Sequence, residues 1–286
     1  MKICILGSSG MLGHAVAKEF INKKNFDIYL TYNHENNYDF DIEDNKIFKF
    51  NAINDLELLK EYNFDIIINC IGIVKPRIID SNQETTAILV NSIFPRKLAN
   101  LFSNTNTKIF QIATDCVYSG KKGKYLEDDF HDANDLYGMS KSLGEVKNEN
   151  FYNLRCSIIG RELNNKYSLI EWFINSNSDD LNGFSNHLWN GISTKAYAKY
   201  IMSILINKIE IPRLLHIIPA DEVSKFNMLE IFNEKYFGGK KNIIPTNAKE
   251  SIDRTLDSCF KELNNDIWNR TDFQKTPSIK EIISDI

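Results

Sequence analysis

One stretch near the start of the chain decides the fold: Lys2-Ile3-Cys4-Ile5-Leu6-Gly7-Ser8-Ser9-Gly10-Met11-Leu12-Gly13. Residues 2–6 predict a short buried strand and not a signal peptide, and the pattern from His14 to Phe20 predicts a helix. The three glycines would let the backbone approach a diphosphate, and the helix N-terminus would offer it free N–H groups. The spacing is one residue longer than the common fingerprint, but its position after a strand favours a dinucleotide site over a structural turn.

Apolar runs recur along the first half of the chain and alternate with helical patterns. Strands are predicted at 27–31, 47–50, 64–72, 108–113 and 151–156. Parallel strands alternating with helices indicate an α/β fold, here a Rossmann-like doubly wound parallel sheet. We expect residues 1–160 to form a dinucleotide-binding domain.

The pattern loosens after residue 160. Further helices are predicted at 168–175, 195–207, 226–237 and 277–286, with a strand at 214–218 and a loop-rich segment at 182–193. Residues 161–286 are therefore expected to form mainly a smaller substrate-binding cap that closes over the carboxyl edge of the sheet. Some of its segments could return to the Rossmann core.

A candidate catalytic group lies in the middle of the chain. Tyr137 and Lys141 are four residues apart, so a helix would place both on one face, and a neighbouring ammonium lowers the pKa of a tyrosine. Tyr137 could then act as a general acid or base. Thr114 closes the strand at 108–113, and the carboxyl ends of such strands bind ligands in open α/β sheets.

The end of the second strand bears on the choice of cofactor. A carboxylate there would bind the adenosine ribose and favour NAD, but the sequence is Thr31-Tyr32-Asn33-His34, with no carboxylate until Glu35. This leaves room for a 2′-phosphate, although no arginine is present to bind it. NADP(H) is favoured over NAD(H).

Composition excludes several classes of protein. The 286 residues carry a net charge of −4, which gives no basic footprint for nucleic acid. No apolar run approaches the ~20 residues that a membrane span needs. Five cysteines without paired spacing favour reduced cytoplasmic thiols over disulfides, and nothing indicates a metal site. The oligomeric state is open and compatible with a homodimer.

Several motifs together resemble the extended short-chain dehydrogenase/reductase superfamily, and within it the dTDP-4-dehydrorhamnose reductases. The motifs are Gly7-x-x-Gly10-x-x-Gly13, Asn69-Cys70-Ile71-Gly72, Val90-Asn91-Ser92-Ile93-Phe94-Pro95, Thr114-Asp115-Cys116-Val117-Tyr118-Ser119-Gly120, Tyr137-x-x-x-Lys141 and Arg254-Thr255-Leu256-Asp257. The resemblance covers nearly the whole chain. It implies NAD(P)H-dependent reduction of a 4-keto sugar nucleotide in surface polysaccharide biosynthesis, with dTDP-rhamnose biosynthesis as the nearest parallel.

The resemblance also implies roles for individual residues. Tyr137 would donate a proton to the sugar C4 oxygen, Lys141 would lower the tyrosine pKa and bind the nicotinamide ribose, and Thr114 would hydrogen-bond the substrate carbonyl. The residues implied in cofactor binding are Gly7, Ser9, Gly10, Met11, Leu12, Gly13, Ala52, Cys70, Gly72, Asn91, Tyr137 and Lys141. Those implied in substrate binding are Thr114, Asp115, Cys116, Trp189 and Arg254.

One position departs from the pattern of these reductases, which usually carry Thr-Asp-Tyr where this chain has Thr114-Asp115-Cys116. Related 4,6-dehydratases need a carboxylate at the third position, so its absence disfavours water elimination. We expect Cys116 to be a small lining residue and not a nucleophile, because a reactive thiol needs a depressed pKa.

The sequence leaves two functions and several residue roles open. A nucleotide-sugar epimerase of the same fold would retain its cofactor, and a non-catalytic regulatory subunit would bind nucleotide without turnover. Trp189 could stack on a sugar or base, or pack in the core of the cap. Asn91 could bond neighbouring backbone or support an active-site water. Arg254 is the better candidate for a diphosphate, and Arg155 for a structural ion pair.

Overall fold

A computed structural model describes residues 1–33, 40–163 and 168–286. The strands of these residues are, in chain order, β1 (Lys2–Leu6), β2 (Asp27–Tyr32), β3 (Ile47–Lys49), β4 (Ile66–Asn69), β5 (Lys108–Thr114), β6 (Phe151–Cys156), β7 (Ile158–Ile159), β8 (Asp180–Phe184), β9 (His187–Trp189), β10 (Ile192–Ser193), β11 (Leu214–His216), β12 (Val223–Ser224), β13 (Asn242–Thr246) and β14 (Ile252–Asp253).

The α-helices of the same residues are α1 (Met11–Ile21), α2 (Ser81–Ile88), α3 (Phe94–Leu101), α4 (Leu136–Leu143), α5 (Leu169–Ile174), α6 (Thr194–Asn207), α7 (Lys225–Phe237), α8 (Lys261–Asn269) and α9 (Ile279–Ser284). A π-helical turn, Leu89–Ile93, joins α2 to α3. Within the described ranges, no helix is long and apolar enough to cross a membrane.

The main sheet has seven strands in the order β11-β6-β5-β4-β1-β2-β3. The central pairs, β1 with β2 and β4, β2 with β3, and β4 with β5, are parallel. The sequence order therefore reverses between β1 and β4, which is the switch point where ligands bind in open α/β sheets. This arrangement confirms the predicted doubly wound fold.

The described chain divides into two compact units. The first comprises Met1–Val117, Ala133–Arg155 and Glu210–Leu215, and the second Tyr118–Asp132, Cys156–Ile209 and His216–Ile286. The domain boundary after residue 160 stays a prediction.

The first unit is organised on the sheet. All four residues of β4 are buried, as parallel strands covered on both faces require. A cluster around Phe50, Leu98 and Phe151 excludes water, and each fully buried phenyl ring stabilises the unit by about 1.5–3 kcal/mol. The Arg155 guanidinium is fully buried and pairs with Glu145 at 2.6 Å, which confirms its predicted structural role.

The sequence patterns of 84–102 and of 137–146 each predict a continuous helix. The first segment is helical but contains the π-helical turn, and the second is helical only as far as Leu143. Gly144 follows as its C-cap, and a side chain at this position would collide with the backbone carbonyl of Asn91. The close approach of the two segments thus requires glycine at the end of α4.

The second unit contains short strand pairs around its own core. β8 pairs with β13, and β9 lies between β12 and β14. The segment at 182–193 was predicted to be loop-rich and is in fact mostly strand, because β8 and β9 pair with strands from later in the chain and β10 pairs with β7. Its Trp189 packs with Phe173, Phe232 and Ile279 in one cluster.

Candidate active site

The glycine turn between β1 and α1 forms the first part of the site. Gly7 has a φ of +79°, and its carbonyl accepts a hydrogen bond from the Gly10 N–H at 3.0 Å. The turn is fixed to β2 because the Gly7 N–H donates to Oγ1 of Thr31 at 2.9 Å. A methyl group on Gly13 would lie 2.6 Å from the carbonyl carbon of Gly7, so only glycine allows this packing.

The N-terminus of α1 has the features of an anion site. Gly10 is the N-cap and provides no side-chain hydrogen bond, and the first turn contains no acidic residue. The N–H groups of that turn lack the intrahelical partners that later residues have, and the helix dipole places a partial positive charge there. Ser9 and Met11 are half-buried and Leu12 is buried in the same turn. These residues fit a dinucleotide diphosphate.

A second group of residues predicted to bind the cofactor includes Cys70 and Gly72, which follow β4, and Ala52. An added Cβ on Gly72 would lie 3.5 Å from Oδ1 of Asn91 and 4.0 Å from Nζ of Lys141. Cys70 donates its N–H to the Leu6 carbonyl at 3.1 Å, and burial raises the pKa of its thiol. Ala52 lies against the core cluster of the first unit.

Asn91 lies in the π-helical turn and ties three segments together. Its Oδ1 accepts the Ile73 N–H at 2.9 Å, and its Nδ2 donates to the Ile73 carbonyl at 2.9 Å and to Oγ of Ser140 at 3.1 Å. Of the two roles open to Asn91, these contacts support the bond to neighbouring backbone. π-Helical turns often occur at functional sites.

Thr114, Tyr137 and Lys141 form the centre of the site. Thr114 is the last residue of β5, and its side chain lies close enough to Tyr137 to influence the pKa of the phenol. Tyr137 and Lys141 lie on one face of α4, as the spacing predicts. The Lys141 ammonium is buried and donates to the Ile112 carbonyl at 2.8 Å.

The pKa of Tyr137 differs in direction from the sequence prediction. Burial raises it well above its ordinary value, and the proximity of Cys116, Asp115 and Asp135 raises it further, whereas the hydrogen bond with Thr114 acts in the opposite direction. The expected lowering was wrong, because desolvation of the phenolate outweighs the favourable contacts.

Two residues that the prediction did not single out hold α4 in place. Asp135 is its N-cap and accepts the Gly138 N–H at 2.9 Å. Ser140 bonds the Tyr137 carbonyl at 2.9 Å and accepts from Asn91. An aspartate just before an apolar helix is a recognisable cap signal, so Asp135 could have been found from the sequence. Glycine is required at position 138 because a Cβ there would lie 2.5 Å from that of Ala133.

The remaining predicted substrate residues, Trp189 and Arg254, belong to the second unit. Trp189 is 5% exposed, lies in the core cluster of that unit and donates its indole N–H to Oγ of Ser157 at 2.8 Å. This placement favours core packing, which is one of the two roles that the sequence leaves open for Trp189. Arg254 is half-buried, and its Nε donates to the Tyr118 carbonyl at 2.8 Å.

Comparison with known proteins identifies the family of this chain and finds solved structures with a similar fold. A family model described as the RmlD substrate binding domain matches residues 1–286. The chain is similar to the dTDP-4-dehydrorhamnose reductase of Bacillus anthracis in complex with NADP, with 20% identity and a TM-score of 0.77 over 99% of this chain and 97% of that one.

Two curated relatives match about half of this chain. A "probable low-salt glycan biosynthesis reductase" of Haloferax volcanii is 28% identical over 142 residues, 49% of this chain and 46% of the relative. The methionine adenosyltransferase 2 subunit beta of Xenopus laevis is 26% identical over 147 residues, 49% of this chain and 40% of the relative. In both cases the match spans less than half of the relative's own length.

Proposed function

We infer that this chain, which belongs to the RmlD substrate binding domain family, is a nicotinamide-dependent reductase of a 4-keto sugar nucleotide. The observation that carries the proposal is the joint placement of Thr114, Tyr137 and Lys141 at the carboxyl end of β5. A hydroxyl, a phenol and an ammonium in this arrangement can deliver a proton to an oxygen that is being reduced.

The cofactor would be held by this chain's own turn and loops. The turn from Gly7 to Gly13 would bind the diphosphate, and Ala52, Cys70, Gly72 and Asn91 would lie along the rest of the dinucleotide. When bound, the reduced nicotinamide supplies a hydride. The proposal that it is NADP(H) rather than NAD(H) rests on the end of β2, where Thr31, Tyr32 and Asn33 provide no carboxylate for a ribose. His34 and Glu35 lie outside the described residues.

Proton transfer is assigned to Tyr137. Its phenol is kept protonated by burial, so it holds a proton at neutral pH and can release it to the substrate oxygen. The Lys141 ammonium has three donors, one of which bonds Ile112, and as a cation it can bind the ribose and stabilise the phenolate that proton transfer leaves behind.

Substrate binding is assigned to the side chains around Thr114 and to Arg254. A guanidinium suits the diphosphate of a sugar nucleotide because it can form paired hydrogen bonds with the phosphate oxygens. The Nε contact with Tyr118 fixes the Arg254 side chain, and no other described residue is hydrogen-bonded to its two Nη groups, which could form such bonds. We propose dTDP as the nucleotide and surface polysaccharide biosynthesis as the process, as in the reductases that the chain resembles.

A second candidate function is that of a regulatory subunit, favoured by the similarity to the methionine adenosyltransferase subunit. Such a subunit would bind nucleotide without turnover. The presence of both Tyr137 and Lys141 in a supported site favours the enzyme instead.

The test is whether the purified chain oxidises NADPH or NADH in the presence of a freshly generated dTDP-4-keto-6-deoxy sugar. The reaction is monitored by the decrease in absorbance of the reduced nicotinamide. Oxidation that disappears in Tyr137→Phe would establish the reductase and identify the preferred coenzyme. Binding of the coenzyme without oxidation of either would favour the regulatory subunit. A coenzyme that copurifies, together with interconversion of sugar epimers, would identify an epimerase.

A further inference from the structure

The short helix that carries Tyr137 and Lys141 is held from outside by a buried hydroxyl. In α4 the carbonyl of Ser140 accepts two hydrogen bonds. One comes from the Gly144 N–H at 3.2 Å and closes the last turn of the helix, and the other comes from Oγ of Ser92 at 2.7 Å. Ser92 and Ser140 are both 2% exposed, so water cannot readily replace the bond between them.

The side chain of Ser140 is tied to the same neighbouring segment. Its Oγ donates to the Tyr137 carbonyl at 2.9 Å and accepts from Nδ2 of Asn91 at 3.1 Å. Two consecutive residues, Asn91 and Ser92, therefore hold the side chain and the carbonyl of one residue of α4. Two separate bonds to one residue restrict both the translation of the helix and its rotation about its own axis.

The π-helical turn explains how consecutive residues reach one partner. In a regular α-helix neighbouring side chains diverge by about 100° around the axis. In this turn Asn91 and Ser92 are both buried, and both are bonded to Ser140. A serine within a helix often donates to a carbonyl of its own preceding turn, whereas Ser92 donates its single proton to another helix.

We propose that Ser92 is a positioning residue that fixes α4 against the π-helical turn and so places Tyr137 and Lys141 for the reaction. It acts through the backbone of Ser140, which lies three residues after Tyr137 and directly before Lys141. The proposal rests on the proposed reductase function and deepens it. Turnover is sensitive to such placement, because a shift of about 1 Å in a reacting group can slow a reaction by about 100-fold.

A matched bond elsewhere in the first unit separates this role from simple stabilisation of the fold. Oγ1 of Thr107 donates to the Phe64 carbonyl at 2.7 Å and is also buried. Thr107 directly precedes β5, at the opposite end of that strand from Thr114. Loss of either hydroxyl leaves a buried carbonyl without a close donor and should destabilise the unit, but only Ser92 is bonded to the helix of Tyr137.

The experiment compares wild type, Ser92→Ala and Thr107→Val in urea unfolding, coenzyme binding and steady-state turnover. Both variants should lower the urea midpoint. We expect Ser92→Ala to reduce kcat by about tenfold or more while the Kd of the coenzyme changes by no more than about threefold, because the glycine turn is unaltered. Thr107→Val should keep the wild-type kcat. A wild-type kcat in Ser92→Ala, or equal losses of kcat in the two variants, would overturn the proposal.

A third variant separates the hydrogen bond from the volume of the side chain. Ser92→Cys fills the site of the hydroxyl with a thiol, which is a weak donor, so its kcat should lie between those of wild type and Ser92→Ala. A wild-type kcat in Ser92→Cys would assign the effect to volume and contradict the proposal, and this comparison stands even if Ser92→Ala does not fold.

Hydrogen exchange provides a readout that does not depend on activity. The backbone amides of α4 should exchange faster in Ser92→Ala than in wild type, and Thr107→Val should leave them unchanged. Unchanged exchange in Ser92→Ala would show that the bond does not hold the helix. The proposed function is tested by wild type itself: failure to oxidise either coenzyme would defeat the reductase, whereas normal wild-type turnover with an unaffected Ser92→Ala would defeat only the role of Ser92.

Discussion

The ammonium nitrogen of Lys141 lies 2.8 Å from the backbone carbonyl oxygen of Ile112, two residues before Thr114 on β5. The bond fixes the lysine of α4 to the strand that carries the threonine, so the relative position of Thr114 and Tyr137 depends on it. The side chain is 6% exposed, which makes loss of its charge and its donors costly.

We expect Lys141→Met to weaken coenzyme binding by at least about tenfold and to reduce turnover by about 100-fold, because it removes the proposed ribose ligand and the cation proposed to stabilise the phenolate. Coenzyme titration by fluorescence and steady-state kinetics would measure the two effects. Lys97→Met, on the exposed face of α3, is the control for a lost lysine charge. Wild-type coenzyme affinity in Lys141→Met would contradict the assignment.

Tyr137→Phe should separate binding from chemistry. It removes one hydroxyl and leaves the ring, so we expect coenzyme affinity to remain close to that of wild type while turnover falls by about 100-fold or more, the scale of a lost general acid. The comparison is made at saturating substrate with both coenzymes. A fall in turnover that is matched by lost coenzyme binding would show that the phenol acts in binding instead.

Two glycines of the first turn provide a matched pair. Gly13→Ala would force a methyl group against the Gly7 backbone, and we expect coenzyme binding to be lost or weakened by about 100-fold. At Gly10 the added Cβ would lie 3.4 Å from the Gly7 carbonyl oxygen, a tolerable contact, so Gly10→Ala should bind the coenzyme much more tightly than Gly13→Ala. Isothermal titration with NADPH measures both. Equal affinities would disprove the close packing of α1 on the turn.

Arg254→Lys tests recognition of the diphosphate. A lysine retains the charge but cannot form the paired contacts of a guanidinium, and it loses the Nε bond to Tyr118. We expect KM for the sugar nucleotide to rise by about tenfold with a small change in kcat. Arg270→Lys, where the arginine pairs with Asp266 on the surface of α8, should leave KM unchanged. An unaltered KM in Arg254→Lys would remove this residue from the substrate site.

Stability of the second unit should depend on the ionisation of Glu127. The buried carboxylate accepts hydrogen bonds from Ser258 at 2.6 Å and from the backbone N–H groups of His216 and Cys259 at 3.0 and 2.8 Å. Desolvation opposes ionisation, but the charge of His216 and these bonds together hold the pKa of Glu127 below its ordinary value. A lowered pKa contributes stability that is present above the ordinary carboxyl pKa and is lost as pH falls below it.

Glu127→Gln should therefore lower the urea midpoint at neutral pH, and its difference from wild type should shrink as the pH falls below about 4. Glu61→Gln, at an exposed position in the first unit, should have little effect at any pH. A difference that is constant with pH would indicate lost packing and not lost charge.

The sequence predicted those features that depend on local pattern. The glycine turn, the buried strands and the four-residue spacing of Tyr137 and Lys141 each involve residues that are close together in the sequence. The structure confirms the sheet and the shared helix face. The Asp135 cap belongs to the same kind of local pattern, since an aspartate directly precedes the helix.

The features that were missed depend on contacts between distant segments. The π-helical turn at Asn91 is fixed by Ile73 and Ser140, which lie 18 and 49 residues away along the chain. The need for glycine at position 144 depends on the nearby Asn91 carbonyl, and the burial of Trp189 depends on a core assembled from separate segments. The direction of the Tyr137 pKa shift follows from burial, which spacing alone does not provide.

The division of the chain into interleaved segments has an evolutionary consequence. The backbone passes from one unit to the other after residues 117, 132, 155, 209 and 215. A single crossover between two genes could therefore not exchange one intact unit for another, as it can between domains joined end to end. In such a chain we expect a new substrate preference to arise mainly by point substitution. Cys116, where this sequence departs from the reductases that it resembles, is a position at which such a substitution would be found.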